Sequence, residues 1–474
     1  MSNPIKLPTG YAGFENSPEL KEELKNFIVM PSQAGPILSL RPGVEYLLDG
    51  FGKCRAMGEF RNNLTGDMEL YTVSGKRFCR IRINDISSFK NLKGNEVVLE
   101  DIGEITGSSK LILLGGFTKL LIMEVGGRAW VYDQVNGINL ITDPNYLRSS
   151  SVAYDDEKFI FVPTDGSPFF WSKLGDPGSI DPSSWADAEK FPDPNKAVFT
   201  LKSSICVLGS ASTQRLNYEP TANVYLTYQG TESNVGYAGG LTDYGETYAW
   251  VGMSAGGSFS FYAMAEQPQR ISDDSIDELI NREYSLREVS NTRAQSADID
   301  GTKVLIFYFP RHTIVYYGGW GFWQTGSSGL NVDTWNISHL QKAYGFVFTG
   351  DSKGPQIGYL KDTGRDYGDH IEYGVKTYMT APPNTTIDIK FLYCRATMGN
   401  SESENQIGRL LSKGGRIFSP SASYKSLGVK GDYNRGVRWG SPVIKHDGHI
   451  GIYITGQVDS PINISALSYD GTIS

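Results

Sequence analysis

The sequence predicts an all-β protein with a β-propeller-like main domain, a C-terminal β-sandwich and a few short helices. Short apolar runs recur about every dozen residues, separated by Gly, Asn, Asp or Pro, as in successive up-and-down strands. Glycine is abundant and scattered, 54 of 474 residues, which is typical of many tight turns. Tyrosine (27) exceeds phenylalanine (22), a balance expected of half-buried β-surfaces.

A short helix is predicted near the N-terminus. Ser17 is a suitable N-cap and Pro18 suits the first helical position. The spacing i, i+4, i+7 then gives one apolar stripe, formed by Leu20, Leu24 and Phe27. After this segment the pattern changes to strands.

Asp-Gly pairs between apolar runs predict β-hairpins. Lys158–Pro163 is followed by Asp165-Gly166 and then by Phe169–Trp171, which indicates two strands and a type I′ turn. The same arrangement is predicted at three further pairs: Asp300-Gly301, Asp447-Gly448 and Asp470-Gly471.

Three regions are predicted: an N-terminal segment with the short helix (1–41), the propeller-like domain (42–380) and the C-terminal sandwich (381–474). The middle region is too long for one sandwich, and blades of four strands accommodate it. It carries no WD, kelch or Asp-box repeat, so the number of blades stays open. A second helix is predicted from about Ser272, with Asp273 and Asp274 in its first turn.

Charge and apolarity restrict the possible partners. With 44 Lys+Arg against 52 Asp+Glu the net charge is −8, and no cluster of cations suited to gripping DNA is visible in the sequence. The most apolar stretch, Leu111–Val125, contains Gly115-Gly116 and Lys119, so no membrane insertion is expected. The N-terminus has no basic region followed by an apolar one, so the protein is expected to be made in a cytoplasm and to stay soluble.

The four cysteines are predicted to be buried reduced thiols, because they are far apart and show no CxxC spacing. They are Cys54, Cys79, Cys206 and Cys394.

Two patterns resemble catalytic or metal motifs. Gly252-Met-Ser254-Ala-Gly256 matches the GxSxG nucleophile elbow, but apolar alternation on both sides favours a hairpin loop over the strand–turn–helix that an elbow needs. His446 and His449 flank an Asp-Gly turn, without an implied third metal ligand.

Several carboxylates fall together in a Pro/Ser-rich stretch and are interpreted as a solvated acidic face: Asp176, Asp181, Asp187, Glu189 and Asp193. A glycosidase-like carboxylate pair stays open from the sequence alone. There is no P-loop, dinucleotide fingerprint or HExxH motif. We therefore predict a protein that is not an enzyme, with no catalytic, cofactor-binding or metal-binding residues and no cofactor.

Several segments, in order along nearly the whole chain, carry a family resemblance. They are Leu24–Pro31, Gly35–Leu38, Leu40–Val44, Tyr154–Leu216, Tyr248–Gly252, Gln269–Ile280, Phe309–Tyr316 with Trp323, Arg438-Trp439, and Gly451–Tyr453 with Ser460–Asn463. Together they resemble the packaged-DNA stabilisation proteins, also called tail hub or nozzle proteins, of short-tailed bacteriophages. One stretch departs from that pattern, because Ser412–Phe418 lacks the expected aspartate.

The resemblance implies a structural virion protein of the phage tail. It implies a homo-oligomeric ring, a hexamer, below the portal and its adaptor, with a tailspike, tail fibre or tail needle attached further down. Such a ring would close the channel to retain packaged DNA, which later passes through the lumen without sequence-specific binding. The acidic net charge suits a lumen along which DNA slides.

Two other classes are kept as alternatives. A β-propeller that binds or hydrolyses glycans would show a carboxylate cluster at one pocket. A propeller scaffold from outside any virus would be a stable monomer without affinity for a portal–adaptor complex.

Overall fold

A computed structural model describes residues 3–14, 17–30, 36–84, 91–188, 191–228, 230–299, 301–319, 321–329, 332–398, 405–428, 435–440, 444–459 and 461–474. The chain begins with six strands: β1 (Asn3–Ile5), β2 (Ala12–Phe14), β3 (Ser17–Lys25), β4 (Phe27–Met30), β5 (Ile37–Leu40) and β6 (Gly43–Asp49). Helices are few, and the all-β prediction is confirmed.

Five antiparallel four-stranded sheets follow one another along the chain. The first two comprise β7 (Cys54–Arg61), β8 (Met68–Ser74), β9 (Arg77–Ile83) and β10 (Val97–Glu104), then β11 (Leu111–Gly115), β12 (Leu120–Glu124), β13 (Ala129–Asp133) and β14 (Gly137–Leu140). The third and fourth comprise β15 (Ser149–Asp155), β16 (Lys158–Pro163), β17 (Phe169–Lys173) and β18 (Asp176–Ala186), then β19 (Asn195–Leu201), β20 (Ser204–Gly209), β21 (Thr213–Glu219) and β22 (Val224–Thr227). The fifth comprises β23 (Gly236–Tyr244), β24 (Thr247–Met253), β25 (Phe259–Met264) and β26 (Pro268–Arg270).

Two more blades complete a ring. The sixth is β27 (Arg293–Ile299), β28 (Thr302–Tyr308), β29 (Thr313–Tyr317) and β30 (Phe322–Gly326). The seventh is β31 (Ile337–Ala343), β32 (Phe346–Asp351) and β33 (Gln356–Lys361), completed on its outer edge by β6. The first strand of each blade contacts the first strand of the next, and β31 contacts β7. The described residues therefore form a closed seven-bladed propeller.

The seventh blade closes the ring with a strand from the other end of the propeller sequence. β6 pairs antiparallel with β33, with Leu48 opposite Ile357 and Gly43 opposite Lys361. Because these ladder hydrogen bonds join the first and last parts of the propeller, the ring is closed by strand pairing as well as by packing.

Blades are held together by apolar faces that stack on one another. Every residue of β16 is buried, which fits a strand covered on both sides. Between the first two blades the rings of Tyr71 and Tyr132 lie 5.3 Å apart within one apolar cluster. The four cysteines are unpaired and buried, as predicted.

Beyond the propeller the chain forms β34 (Arg365–Asp366), β35 (Asp369–Thr380), β36 (Ile387–Met398), β37 (Asn405–Lys413), β38 (Ser423–Gly428), β39 (Arg435–Trp439), β40 (Ile444–His446), β41 (His449–Val458) and β42 (Ile462–Ile473). One sheet contains β1, β4, β5, β36, β39, β40 and β42, and a second contains β2, β3, β35, β37, β38 and β41. They share one apolar core, in which the rings of Phe27 and Tyr373 are 5.6 Å apart. The sandwich therefore draws strands from both ends of the chain; the division into three domains stays a prediction.

The predicted N-terminal helix is wrong, because Ser17–Lys25 is the strand β3. Leu20 and Leu24 are both buried, and a spacing of four residues puts two side chains on one face of a strand as well as of a helix. Asn26, with φ of 62°, then breaks the strand before Phe27.

Two short helices lie between the fifth and sixth blades: α1 (Asp274–Glu283) and α2 (Leu286–Ser290). The predicted second helix is therefore confirmed, with Asp273 as its N-cap accepting a 2.9 Å hydrogen bond from the Ile276 backbone N–H. Among the described residues, no helix is both long enough and apolar enough to span a membrane.

The Asp165-Gly166 hairpin is confirmed, since β16 and β17 pair on either side of it. Gly166 has φ of 78° but Asp165 does not have a positive φ, so the predicted type I′ turn is wrong. Gly301 lies in the turn between the paired strands β27 and β28, whereas Asp300 lies outside the described residues. The hairpin predicted at Asp447-Gly448 is wrong, because β40 pairs with β36 and β41 pairs with β35 and β37. Asp470-Gly471 instead lies inside β42, where an added Cβ on Gly471 would meet the Asp388 carbonyl oxygen at 2.1 Å. Glycine is needed at this position because two strands approach closely, and not because the chain turns there.

Candidate functional site

A buried ionic junction joins the propeller to the sandwich. The Arg41 guanidinium donates to both carboxylate oxygens of Asp366 at 3.1 and 2.6 Å, and both side chains are about 2% exposed. Arg41 also donates to the carbonyl oxygen of Ser327, at the end of the sixth blade, and lies 4.2 Å from the centre of the Trp335 ring. Residues far apart in sequence are thereby fixed in one place.

Asn26 completes this junction. Its side-chain oxygen accepts from the Arg41 Nε and the Ser327 backbone N–H, each at 2.9 Å. Its side-chain nitrogen donates to the carbonyl oxygens of Ser327 and Glu372 at 3.0 and 2.7 Å. Asn26 therefore connects the N-terminal strands, the sixth blade and β35, and its hydrogen-bonding groups are satisfied despite complete burial.

The steric surroundings of Gly43 explain why the Leu40–Val44 segment contains a glycine. At Gly43 an added Cβ would lie 2.1 Å from the Arg365 carbonyl oxygen and 2.7 Å from that of Thr363. Glycine is thus required sterically where β6 enters the seventh blade beside β34.

The seven inner strands surround a central cavity of about 580 Å³. Its wall includes three cations, each within one residue of the start of an inner strand; we call Lys110, Lys196 and Arg293 the cavity cations. One carboxylate, Asp243, also lines it and accepts a 3.0 Å hydrogen bond from Ser296. Asp243 lies near the end of β23, at the opposite end of an inner strand from the cations.

Four exposed apolar side chains lie on one face of the propeller. Leu64, Phe117, Val135 and Leu174, here the loop-tip patch, are 71, 69, 77 and 63% exposed. Each lies in a loop after the first or third strand of its blade, and such loops share one face. Neighbouring loops are linked, since Asn63 donates to Thr118 and Gln134 donates to Arg61.

The GxSxG pattern forms a hairpin loop, as interpreted from the sequence. Ser254 lies between β24 and β25, and its hydroxyl and that of Ser258 are 2.8 Å apart. The His446 ring accepts from the Gly448 backbone N–H, and the His449 ring is 3.0 Å from the Thr380 hydroxyl. Within the described ranges no group of three or more His, Cys, Asp or Glu side chains is placed to hold a metal ion.

The predicted acidic loop is partly wrong, because Asp176–Ala186 is the strand β18. Its carboxylates support local structure: Asp176 pairs with Lys119 at 2.8 Å, and Asp193 accepts from Ser212 and from the Ala211 backbone N–H, each at 2.7 Å. Glu189 lies outside the described residues. Of the resemblance segments, Pro31, Gly35 and Ser460 also lie outside them.

Sequence reasoning did not single out Arg41 or the cavity cations. Arg41 lies in the Leu40–Val44 segment of the family resemblance, but its partner Asp366 is distant in sequence. The cations do leave a signal, since Lys110 and Lys196 each occupy an inner-strand start and Arg293 repeats that position four blades after Lys110. This repeated position of the cations can be recognised only when the first residue of each blade is known.

The blades form a closed ring, and a buried ionic junction joins this ring to the sandwich. These features define the class as a structural β-propeller protein. A family model for phage stabilisation proteins, described as "Bacteriophage P22 Gp10, beta-propeller", matches residues 37–364. The match covers more than half of the chain, and the protein belongs to this family. It is a phage structural protein of the DNA-stabilisation type and a component of the virion.

No curated protein matches significantly. Solved structures give distant likenesses, including an exo-β-1,3-galactanase from Phanerochaete chrysosporium with bound β-1,3-galactotriose: TM-score 0.27, 6% identity, 77% of this chain and 97% of that one. Another is KlHsv2 with loop 6CD replaced by a Gly-Ser linker: TM-score 0.32, 11% identity, 58% of this chain and 96% of that one. These scores are too low to bear on function.

Proposed function

We propose that copies of this chain form a closed ring, a hexamer, in the tail of a short-tailed phage. The ring lies below the portal and its adaptor, closes the channel to retain packaged DNA, and carries a tailspike, tail fibre or tail needle. The observation that carries this proposal is the match to the phage stabilisation family over residues 37–364. It supports a structural role in the virion, and we infer from it that the protein acts through surfaces that bind other tail proteins.

The size of the central cavity supports a channel built between copies. At about 580 Å³ the cavity has the dimensions of a small-molecule pocket, roughly 300–1,000 Å³. A DNA duplex needs far more room, so the axis of one propeller is not the route of the genome. A lumen enclosed by several copies around a symmetry axis provides that route.

The loop-tip patch supports contact with another subunit or with the adaptor. Four large apolar side chains, each more than 60% exposed, lie on linked loops of three consecutive blades. Large apolar side chains exposed together on one face are a feature of protein association sites. Burying it would offset the loss of freedom on assembly.

The test uses phage particles assembled without this protein. Filled heads are expected to lose their DNA, and added purified protein is expected to restore retention. Full retention in its absence, with normal tails, would overturn the proposal and direct attention to glycan binding or cleavage.

A variant pair then examines the surface. Val135→Asp, in the loop-tip patch, is expected to abolish rescue and ring formation, measured by sedimentation. Leu286→Asp is the matched control, since Leu286 is 50% exposed at the first position of α2, where an aspartate is tolerated. Equal behaviour of the two variants would remove the patch from the assembly interface.

A further inference from the structure

Cationic side chains converge at one end of the central cavity. Lys110 comes from the second blade, yet its Nζ donates to the backbone oxygen of Thr292, beside Arg293 at the start of the sixth blade, at 3.4 Å. Lys196 lies at the start of the fourth blade, and its backbone oxygen accepts from Ser150 of the third at 3.1 Å. The cavity cations therefore come from three blades, and all three residues line the cavity.

None of these cations forms an ion pair with a described residue. The nitrogens of Arg293 reach the Ile337 backbone oxygen at 3.0 Å and the His339 ring at 3.4 Å, and its guanidinium lies over the Tyr308 ring. These partners carry no negative charge. Asp243, at the other end of β23, bonds to Ser296 and is not paired with a cation.

The electrostatic consequence appears in the pKa values. Burial, and then the nearby Arg293 guanidinium, lower the pKa of Lys110 to about 8. Burial also lowers the pKa of Arg293, and burial with both cations holds the pKa of His339 well below its ordinary value. Cations held together in this way lack a compensating negative charge.

A bound anion would supply that charge. The Lys110 side chain is accessible from the cavity, although protein surrounds it, so a ligand inside the cavity can reach it. Arg provides a planar fork suited to oxyanions and Lys provides a point charge, which together favour phosphate chemistry. Several cations facing one carboxylate favour an anion with more than one negative charge.

We propose that the central cavity of the propeller is a binding site for a small multivalent phosphate anion, held by Lys110, Arg293 and Lys196. The site is separate from the proposed assembly surfaces, since the loop-tip patch lies on the face where inner strands end and the cations lie where they begin. It therefore stands independently of the proposed tail function. The same chemistry occurs in free phosphates and in the phosphates of a nucleic-acid strand, and the volume of the cavity favours the free anion.

The experiment is isothermal titration calorimetry of the full chain with sodium pyrophosphate near neutral pH, with ionic strength held constant by sodium chloride. The parent protein is expected to bind at one site per chain. Lys110→Met is expected to bind about tenfold more weakly, because one charge-assisted contact is lost. Lys173→Met, which removes an exposed lysine outside the cavity, is the matched control and is expected to bind like the parent.

A second variant and a second ligand keep the result decisive. Lys196→Met is expected to weaken binding as well, and circular dichroism checks that each variant is folded. Absence of saturable binding by the parent, or equal affinities of Lys110→Met and Lys173→Met, would overturn the site. Tighter binding of a 5′-phosphorylated oligonucleotide than of pyrophosphate would overturn an enclosed small-anion site.

Discussion

Two groups of charged side chains, one buried at the junction and one lining the central cavity, are built in opposite ways. At the junction, Arg41 faces the carboxylate of Asp366, and it also donates to the side-chain oxygen of Asn26 and to backbone oxygens. In the central cavity, Lys110 and Arg293 face each other without a carboxylate. A paired charge whose hydrogen bonds are all made has a role inside the fold, whereas unpaired charges of one sign around a void are suited to a ligand.

The largest effect is expected at the junction. Asp366→Asn removes the negative charge and leaves the Arg41 guanidinium buried without it, which should lower the free energy of unfolding by about 3–5 kcal/mol. Urea unfolding measures the loss. Glu100→Gln is the control, since Glu100 pairs with Arg80 at 2.7 Å but its side chain is 44% exposed, and such pairs contribute less than about 1 kcal/mol. Similar losses for both variants would contradict a special role for the junction.

The steric part of the junction is tested without changing any charge. Gly43→Ala would force a Cβ against the Arg365 and Thr363 carbonyl oxygens, and a loss of about 1–3 kcal/mol is expected. Gly256→Ala serves for comparison, because the nearest atom to its added Cβ is the Ser254 hydroxyl at 3.8 Å. A Gly43→Ala protein as stable as Gly256→Ala would show that the strand entry adjusts easily.

A smaller effect of opposite sign is expected in the cavity. Lys110→Met removes an unpaired cation from a protein-surrounded position, so in the absence of anions stability should be unchanged or rise by no more than about 1 kcal/mol. Urea unfolding in chloride buffer measures it. A marked loss would mean that Lys110 has a partner in the fold and would remove the contrast with Arg41.

The smallest effect concerns pH. The pKa of Lys110 is lowered to about 8 from 10.5, so between these values the unfolded chain holds a proton that the folded chain has released. Stability contributed by this group therefore rises with pH through that window. Comparison with Lys110→Met isolates it from Arg293 and His339, which face the same cavity. Parallel stability–pH curves for parent and variant would contradict the lowered pKa.

Local features of the fold were predictable from sequence, and long-range pairings were not. Asp165-Gly166 marks a hairpin because turn chemistry acts within a few residues. The number of blades could not be predicted from the sequence, because it depends on the pairing of β6 with β33. The N-terminal helix was mispredicted because Leu20 and Leu24 fit either period, and tertiary pairing of β3 with β35 decided the outcome.

The same reasoning applies to the sites. The absence of an elbow at Ser254 could be argued from alternation on both sides, but nothing near Arg41 identifies Asp366 as its partner. Lys110 and Arg293 are likewise brought together by the closure of the ring. Sites whose members lie on different blades become visible only when the ring is known.

The pairing of β6 with β33 also determines when the propeller can close during translation. Leu48 leaves the ribosome about 300 residues before its partner Ile357, which at about 5–20 residues per second is a wait of roughly 15–60 s. Throughout that interval the edge of β6 has no blade to join, and the circle of blades stays open. A chain interrupted before its seventh blade lacks β33, so the ladder between β6 and β33 cannot close its circle of blades.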